Sequence, residues 1–542
     1  MRGASMQETA QRTRDVDPVD EVGWPLLAGT RALSVEGDLT AARVWFEQAY
    51  QAAEPIGDRR TMAAAALGLG GLWVHEHRSV SVAMTVEQRM RHAFSLLDAG
   101  SPAALRLRVR LAGEAGYRSG DPAEVLAVLD ETRRAGDPVA LAEALSIAHH
   151  CLLGPGHGAR RRELAEELIR VSSAGRRSDR LMGLLWLTVD LFLDGDPHAE
   201  RRLAELREQL AGLDHLAVGF VVNSMDVMLS IAAGDLEGAE TRAAACRQLG
   251  SRAGDHDATA WHAGQLVTIR WYQGRLVELL PMLTELVSSS TLSDIDHASH
   301  AALAVAAAQA GDRLRAAGAL ATLRGRDLGD LPRSSSWLVT MNGVVEAAHV
   351  LDDAETSARA YELLLPFAGL PMIVSLGTVS LGSVEHALGV ASLTAGEADR
   401  AVEHLRAAIQ ANLALGHWPA VQASRRRYDQ ALALSAEDPA GPATCTPRGH
   451  GWTVTHGRRS ALVRHAVGML HLAVLLANPG TEIAAAELAA GADALAGRAD
   501  VSTQPVLDRT AVREYRARLA SLRETIEAKP GAASAAARRE YD

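Results

Sequence analysis

Residues Leu388–Ala408 read LGVASLTAGEADRAVEHLRAA, two apolar helical runs joined at Gly396-Glu397. Counted from Gly396, small Ala401 lies at offset 5, larger Leu405 at 9 and small Ala408 at 12. Those offsets put three side chains on one face of a helix. The small residue permits close approach of a paired helix, and the larger one fills the space between layers. Glycine at the bend tolerates positive φ, and an acid after it can cap the helix that follows.

The same bend recurs along the chain. Its anchors are Gly37-Asp38, Gly120-Asp121, Gly195-Asp196, Gly234-Asp235, Gly274-Arg275, Gly311-Asp312, Asp352-Asp353 and Gly396-Glu397. From Gly195 onward the spacings are 39, 40, 37, 41 and 44 residues; the earlier gaps of 83 and 75 are each close to two units. The missing bends fall near His77-Arg78 and in Leu153–Gly158. Downstream of the anchors the register holds: Ala42, Ala239, Ala316, Ser357 and Ala401 at offset 5, and Phe46, Leu129, Leu283, Leu320, Tyr361 and Leu405 at 9. Ala49, Cys246, Leu286, Leu323, Leu364 and Ala408 follow at 12. A fixed period of this kind is the signature of stacked supersecondary units, and it predicts an all-α solenoid of about ten helix pairs over residues 21–434.

Composition agrees. The chain has 542 residues, too many for one compact core, with 48 % hydrophobic but only 4 % aromatic residues. Ala, Leu, Arg and Glu dominate, residues that lose little rotamer freedom in a helix. A formal charge of −11 argues against a chain that coats nucleic acid along its length. Cys151, Cys246 and Cys445 form no CxxC, which predicts a reducing cytoplasm and no structural zinc. The polar N-terminus, residues 1–20, lacks the apolar core of a signal peptide and is expected to be disordered. The charge-free stretch Leu363–Val384 is broken by Pro366 and Pro371 and reads as buried helix and turn, not a membrane span.

The repeat resembles the tetratricopeptide repeat, in the longer form found in large bacterial regulators. GLWVHEHR (Gly71–Arg78), WYQGRL (Trp271–Leu276), DLPRSSSW (Asp330–Trp337) and AYELLLPFAG (Ala360–Gly369) extend the likeness. They resemble the helical region of actinobacterial LuxR-type and cyclase-linked ATPase regulators, over residues 20–435. That resemblance implies a sensing and protein-contact scaffold. The ATPase module of such regulators needs a P-loop lysine among phosphate-cradling N–H groups. Lys529 is the sole lysine and no GxxxxGK[ST] occurs, so this sequence carries no such module and is expected to use no nucleoside triphosphate.

After Leu434 the grammar changes. Residues 435–451 (SAEDPAGPATCTPRGHG) read as a linker, and residues 452–528 as a small module followed by a disordered tail, 529–542. Trp452 to Arg458 alternates like a hairpin, Leu462–Ala477 and Glu482–Ala490 read as helices, and Asp508–Glu527 as a third. GWTVTHGRRSALV, HLAVLLANPGTEI and PVLDRTAVREYRARLASLRETI resemble a winged helix of the kind appended to the same regulators. Residues 446–542 carry a net +3. Arg509, Arg513, Arg516 and Arg523 form a stripe on the third helix, fit to meet phosphates or guanine edges in a major groove. The competing reading is a buried seam of Val512, Tyr515, Leu519, Leu522 and Ile526 with the arginines as its solvated flank.

Candidate chemistry is sparse. SDIDHASH holds Asp294, Asp296, His297 and His300; His297 and His300 would share a helical face, as metal ligands do, but no third ligand is identifiable and Ser293 or Asp294 equally suits a helix N-cap. His75 and His77 project about 200° apart on a helix, so they suit packing or hydrogen bonding better than chelation. Cys151 lies in the apolar run ALSIAHHCLL, where cysteine behaves as a small hydrophobe. Gly154–Gly158 lacks a lysine and a preceding strand, and reads as a turn. No metal, cofactor or catalytic residue is expected. The solenoid groove is the expected binding surface, with Trp73, Trp186, Trp261, Trp271 and Trp337 as candidate anchors or interlayer core. The expectation is a cytoplasmic, non-enzymatic regulator whose repeats bind a protein, peptide or small effector and whose C-terminal module contacts DNA or a partner. The alternatives are a scaffold that does not bind DNA, and an enzyme with its pocket in the groove.

Overall fold

The computed structural model describes residues 18–172, 176–288, 295–435, 444–448, 451–456, 459–478, 482–485, 488, 517–518, 520–521 and 523. They fall into two compact units that divide between Ser435 and Ala436.

The first unit is a row of ten helix pairs and a closing helix. The pairs are α1 Pro18–Arg31 with α2 Leu39–Ala53, α3 Arg59–Leu69 with α4 Val80–Ser95, and α5 Pro102–Ser119 with α6 Ala123–Ala135. Next come α7 Pro138–Cys151 with α8 Gly158–Ser172, α9 Arg177–Leu193 with α10 Ala199–Leu210, and α11 Leu216–Ala232 with α12 Leu236–Ala253. Then follow α13 Ala258–Gln273 with α14 Leu280–Val287, and α15 Ala298–Gln309 with α16 Arg313–Arg324. The last pairs are α17 Trp337–Leu351 with α18 Ala354–Leu364 and α19 Val384–Thr394 with α20 Ala398–Ala414, before α21 Trp418–Ser435. Because α1 starts at Pro18, residues 18–20 are helical and not part of a disordered leader.

All eight anchors sit at bends with positive φ, from 60° at Asp352 to 84° at Gly234. The acid after the bend does the capping: Asp38, Asp235, Asp312 and Asp353 each accept from the backbone N–H three residues on, at 2.9–3.1 Å. The offset residues are buried, except half-buried Tyr361 and Leu286. Gly389 shows why small residues recur: a Cβ there would lie 2.4 Å from Leu405 Cγ. Along most of the row the first helices of successive pairs also pack on one another, an inner layer beneath the second helices.

The row coils back on itself. Ala217 N donates to Gly37 O (3.1 Å) and the Arg43 guanidinium to Gly254 O (2.8 Å), across 180 and 211 residues. Leu363–Val384 departs from the helix-and-turn expectation, because β1 Pro371–Ile373 and β2 Ser380–Ser383 form an antiparallel hairpin with every strand residue buried. Pro371 ends the preceding helical segment, and Ile373, Val374 and Val379 suit extended backbone.

In the second unit β3 Thr444–Arg448, β4 Gly451–His456 and β5 Arg459–Arg464 make an antiparallel sheet in that order, followed by α22 Val467–Ala477. Two expectations change here. The stretch read as a linker contains β3, and Leu462–Arg464, read as helix, pairs with β4 as strand, Leu462 opposite Thr453 and Val463 opposite Trp452. The cause is a local core: Trp452 and Leu470 bury each other, and the Trp452 indole N–H donates to His465 Nδ1 at 2.9 Å. Of the segment 482–490, residues 482–484 lack regular structure, while 485 and 488 are helical.

Two bends separate backbone strain from crowding. Gly234 opens on empty space, whereas a Cβ on Gly254 would lie 2.1 Å from Thr40 Oγ1 and 2.7 Å from Thr40 N. Gly234→Ala should cost about 1–2 kcal/mol from left-handed φ alone, and Gly254→Ala at least roughly 2 kcal/mol more. Urea midpoints of the two variants check this; equal losses would show that the coil does not close through Gly254.

Candidate functional site

Three loops from distant pairs meet in the middle of the first unit. Residues 70–79 join α3 to α4, residues 254–257 join α12 to α13, and residues 374–379 form the tip of the β1–β2 hairpin. With the inward faces of α5, α7, α13, α15 and α17 they surround a cavity with about 1470 Å³ of space between the atoms, part of it open to solvent.

The first loop is held at nearly every step. Glu76 accepts from Leu72 N (2.8 Å) and Trp73 N (3.3 Å) and pairs with Arg43 (2.7 Å). Arg110, 3 % exposed, donates to the Trp73 and Gly71 carbonyls at 2.9 and 2.8 Å. His75 has φ 59°, its N–H donating to the Glu114 carboxylate at 3.0 Å and its ring stacked on Tyr117. His77 Nε2 bonds Leu69 O at 2.7 Å. Arg78 grips Asp257 with two hydrogen bonds of 2.6 Å, the planar fork matching the carboxylate. The string read as packing and hydrogen bonding is therefore a rigid inward turn.

Asp255 lies beside that ion pair. Its Oδ2 accepts from the Trp73 indole N–H (3.2 Å) and its Oδ1 from Asp257 N (2.8 Å). Burial, then the Asp257 carboxylate, pushes Asp255 up to about 7. His150 is driven down to about 3 by burial and by the charges of His149 and Arg110, so it is a neutral imidazole. Burial also raises the Tyr117 hydroxyl and pushes the Cys151 thiol up to about 12. Cys151 Sγ–H donates to Gly113 O at 3.4 Å, the behaviour of a small core residue. Among the described residues, no hydroxyl or thiol lining the cavity is hydrogen-bonded to a histidine or carboxylate that would activate it.

Of the five tryptophans singled out in the sequence, Trp73, Trp261 and Trp271 line this cavity. The other two do not. Trp186, 1 % exposed, stacks on His149 at 4.5 Å, and Trp337, 2 % exposed, meets Phe367 edge-on at 5.5 Å. Three of the five candidate anchors thus share one cavity, partly open to solvent, and two are core. Asp296 lines it too, accepting from Ser336 Oγ (2.5 Å) and Ala298 N (3.2 Å); His297 and His300 stand with ring centroids 6.1 Å apart. Among the described residues no group of three or more His, Cys, Asp or Glu is placed to hold a metal. Sequence reasoning missed Asp255, Asp257, Tyr117 and the hairpin tip. The tip had a signal in the β-branched residues on both sides of Leu376-Gly377; the aspartates had none.

A second polar row is structural. Ser424 Oγ bonds His386 Nδ1 (3.0 Å), and His386 Nε2 bonds Glu346 (3.2 Å). Burial works to raise the Glu346 carboxyl, but the His386 hydrogen bond and the Arg427 charge prevail and hold it at about 2. Ser424 is fully buried and also accepts from Asn412, so this resembles a catalytic row but ties α17, α19, α20 and α21 together.

Of the expected DNA-contacting arginines, Arg509, Arg513 and Arg516 lie outside the described residues; Arg523 is helical and exposed. Among the described residues no helix is long and apolar enough to cross a membrane.

No protein-family model matches the chain and no curated protein is similar to it. Among solved structures it is similar to one described as a circular tandem repeat protein with novel repeat topology and enhanced subunit contact surfaces. The two are 12 % identical over 77 % of this chain and 97 % of the other, with a TM-score of 0.12. A score that low carries no argument; the repeat architecture is evident in this chain's own helix pairs.

Asp255 gives a signed pH prediction. Its proton is held more tightly folded than unfolded, so the stability it contributes is present below the usual carboxylate range and is lost as pH rises through about 7. Buried His150 and His215, the latter lowered to about 4 mainly by burial, act oppositely, so the difference against Asp255→Asn isolates the Asp255 contribution. Between about pH 4 and pH 8 the wild type should lose on the order of 2–4 kcal/mol relative to Asp255→Asn. Parallel pH profiles of the urea midpoints would refute it.

Proposed function

We propose that the protein is a regulator without a reaction of its own. Its helical repeats, of tetratricopeptide-like class, take up an effector, and its winged-helix-like C-terminal module contacts DNA or a partner protein. One observation carries the reading: a cavity built from loops about 300 residues apart, walled by aromatic and acidic side chains, with no activated nucleophile among its described lining residues. A site assembled by the whole coil makes its occupancy felt by every pair that contributes to it, which suits sensing. Of the effectors open to a repeat protein, an enclosed pocket favours a small molecule over a protein or peptide. The likeness to actinobacterial regulators points the same way, as does the +3 charge of residues 446–542 on a chain of net −11.

The scaffold reading has its own support. Val44, Val80, Val82 and Met84 are exposed around α2 and α4, an apolar surface of the kind that docks partners. Partner capture that survives high salt favours the scaffold, because phosphate contacts weaken steeply with salt.

Gly264 offers a clean test of the cavity. It lies in α13 facing the cavity, and a Cβ there meets nothing within 4 Å. Gly264→Phe should fold with undiminished thermal stability and abolish the effector response in a transcriptional reporter; an intact response would overturn the effector-site reading. For the second unit, Arg513→Ala with Arg516→Ala should lower DNA retention in a gel shift by at least roughly tenfold. Full regulatory output from a chain ending at Leu434 would remove the DNA role.

A further inference from the structure

We propose that the central cavity binds an organic cation with an apolar body, an ammonium or amidinium head seated by Asp255 and Asp296 and the body lying against Trp271 and Val379. The inference rests on the reading of the cavity as an effector site and names the chemistry of the effector.

Charge is the first ground. Among the described residues, Glu76, Asp255, Asp257 and Asp296 line the cavity against one guanidinium, that of Arg78. Arg78 is committed to Asp257, and Glu76 to Arg43 from behind the loop. Among the described residues neither Asp255 nor Asp296 forms a salt bridge, although the Arg78 charge also reaches Asp296; their hydrogen bonds come from an indole, a hydroxyl and backbone N–H groups. Both are half-buried, and a carboxylate partly removed from water gains from a positive charge placed against it. His150 does not supply that charge, since it is held neutral.

A second, independent ground is Thr378. It lines the cavity from the hairpin tip, is 2 % exposed, and its hydroxyl has no hydrogen-bond partner among the described residues. Leaving a buried hydroxyl unpaired costs about 1–3 kcal/mol, a cost that a polar ligand group removes. The hydroxyl accepts from an ammonium N–H as readily as it donates.

The walls select the kind of cation. No group of three ligating side chains is placed for a metal among the described residues. Trp73, Trp261 and Trp271 instead offer indole surface, which attracts diffuse organic cations and packs their hydrocarbon. Leu283, Val339 and Leu381 add apolar lining that suits a body leaving water.

Three probes of one shape separate charge from fit: phenethylammonium, 2-phenylethanol and 3-phenylpropanoate, titrated calorimetrically into the full chain at about pH 8, where Asp255 is ionised. The cation should bind at least about tenfold tighter than the alcohol, and the anion weakest. Asp255→Asn should remove most of that preference and leave alcohol binding unchanged. Thr378→Val, nearly isosteric, should weaken the cation several-fold while raising the melting temperature, because it deletes an unsatisfied hydroxyl. Equal binding of cation and alcohol, or tighter binding of the anion, overturns the cation inference and leaves the effector-site reading standing. No binding of the cation up to about 10 mM, a free energy weaker than roughly −3 kcal/mol, also overturns it. An intact effector response in Gly264→Phe sinks the effector-site reading by itself, whatever the probes do.

Discussion

A pair of helices joined at a glycine–aspartate bend carries apolar surface on both broad faces and has only its own partner to cover one of them. Burial of that surface is the main force available, at about 25 cal/mol per Å², and it is realised only by stacking the next pair. The side chains at the three recurring offsets are where this happens. Ala42, Ala239, Ala316, Ser357 and Ala401 are so tightly enclosed that a larger residue at any of them would push two helices apart. Neighbours contact neighbours, and the row continues until α21 closes it.

Stacking alone does not make a site. Each pair is rotated relative to the last, and in this chain the rotation brings early pairs against later ones. At the return, polar groups must leave water together, which explains the density of paired charges there. Arg43, Glu76, Arg78, Arg110 and Asp257 are all partnered. A partnered charge removed from water is tolerable, whereas a lone one is costly. Asp255 and Thr378 stand out against that background because they line the same cavity without equivalent compensation among the described residues.

Such groups reduce the stability of the empty protein, and proteins commonly carry that cost where a ligand is to be met. The buried Ser424–His386–Glu346 row is the instructive contrast. Its polar atoms are as deeply placed, yet each is paired with another, and it serves as a strut. Burial does not distinguish a site from a strut in this fold; unsatisfied hydrogen-bonding capacity beside open space does.

The sequence by itself determined the helices, the bends and their order, because these depend on interactions within a few residues. Offsets of 5, 9 and 12 specify a helix face, glycine supplies positive φ, and aspartate caps the next turn. Even the two bends that lack an anchor, near His77-Arg78 and in Leu153–Gly158, could be located from period alone. It was less decisive where short apolar runs allow either helix or strand, as in Pro371–Ser383 and Leu462–Arg464, since pairing partners and a Trp452 core settle those. Only the tertiary structure decided that a central cavity forms, that Trp73, Trp261 and Trp271 line it while Trp186 and Trp337 do not, and that Asp255 and Asp257 meet a loop about 180 residues earlier. The physical reason is that a small rotation per pair, set by the sizes of many interface side chains, accumulates along the row. No local pattern carries that sum.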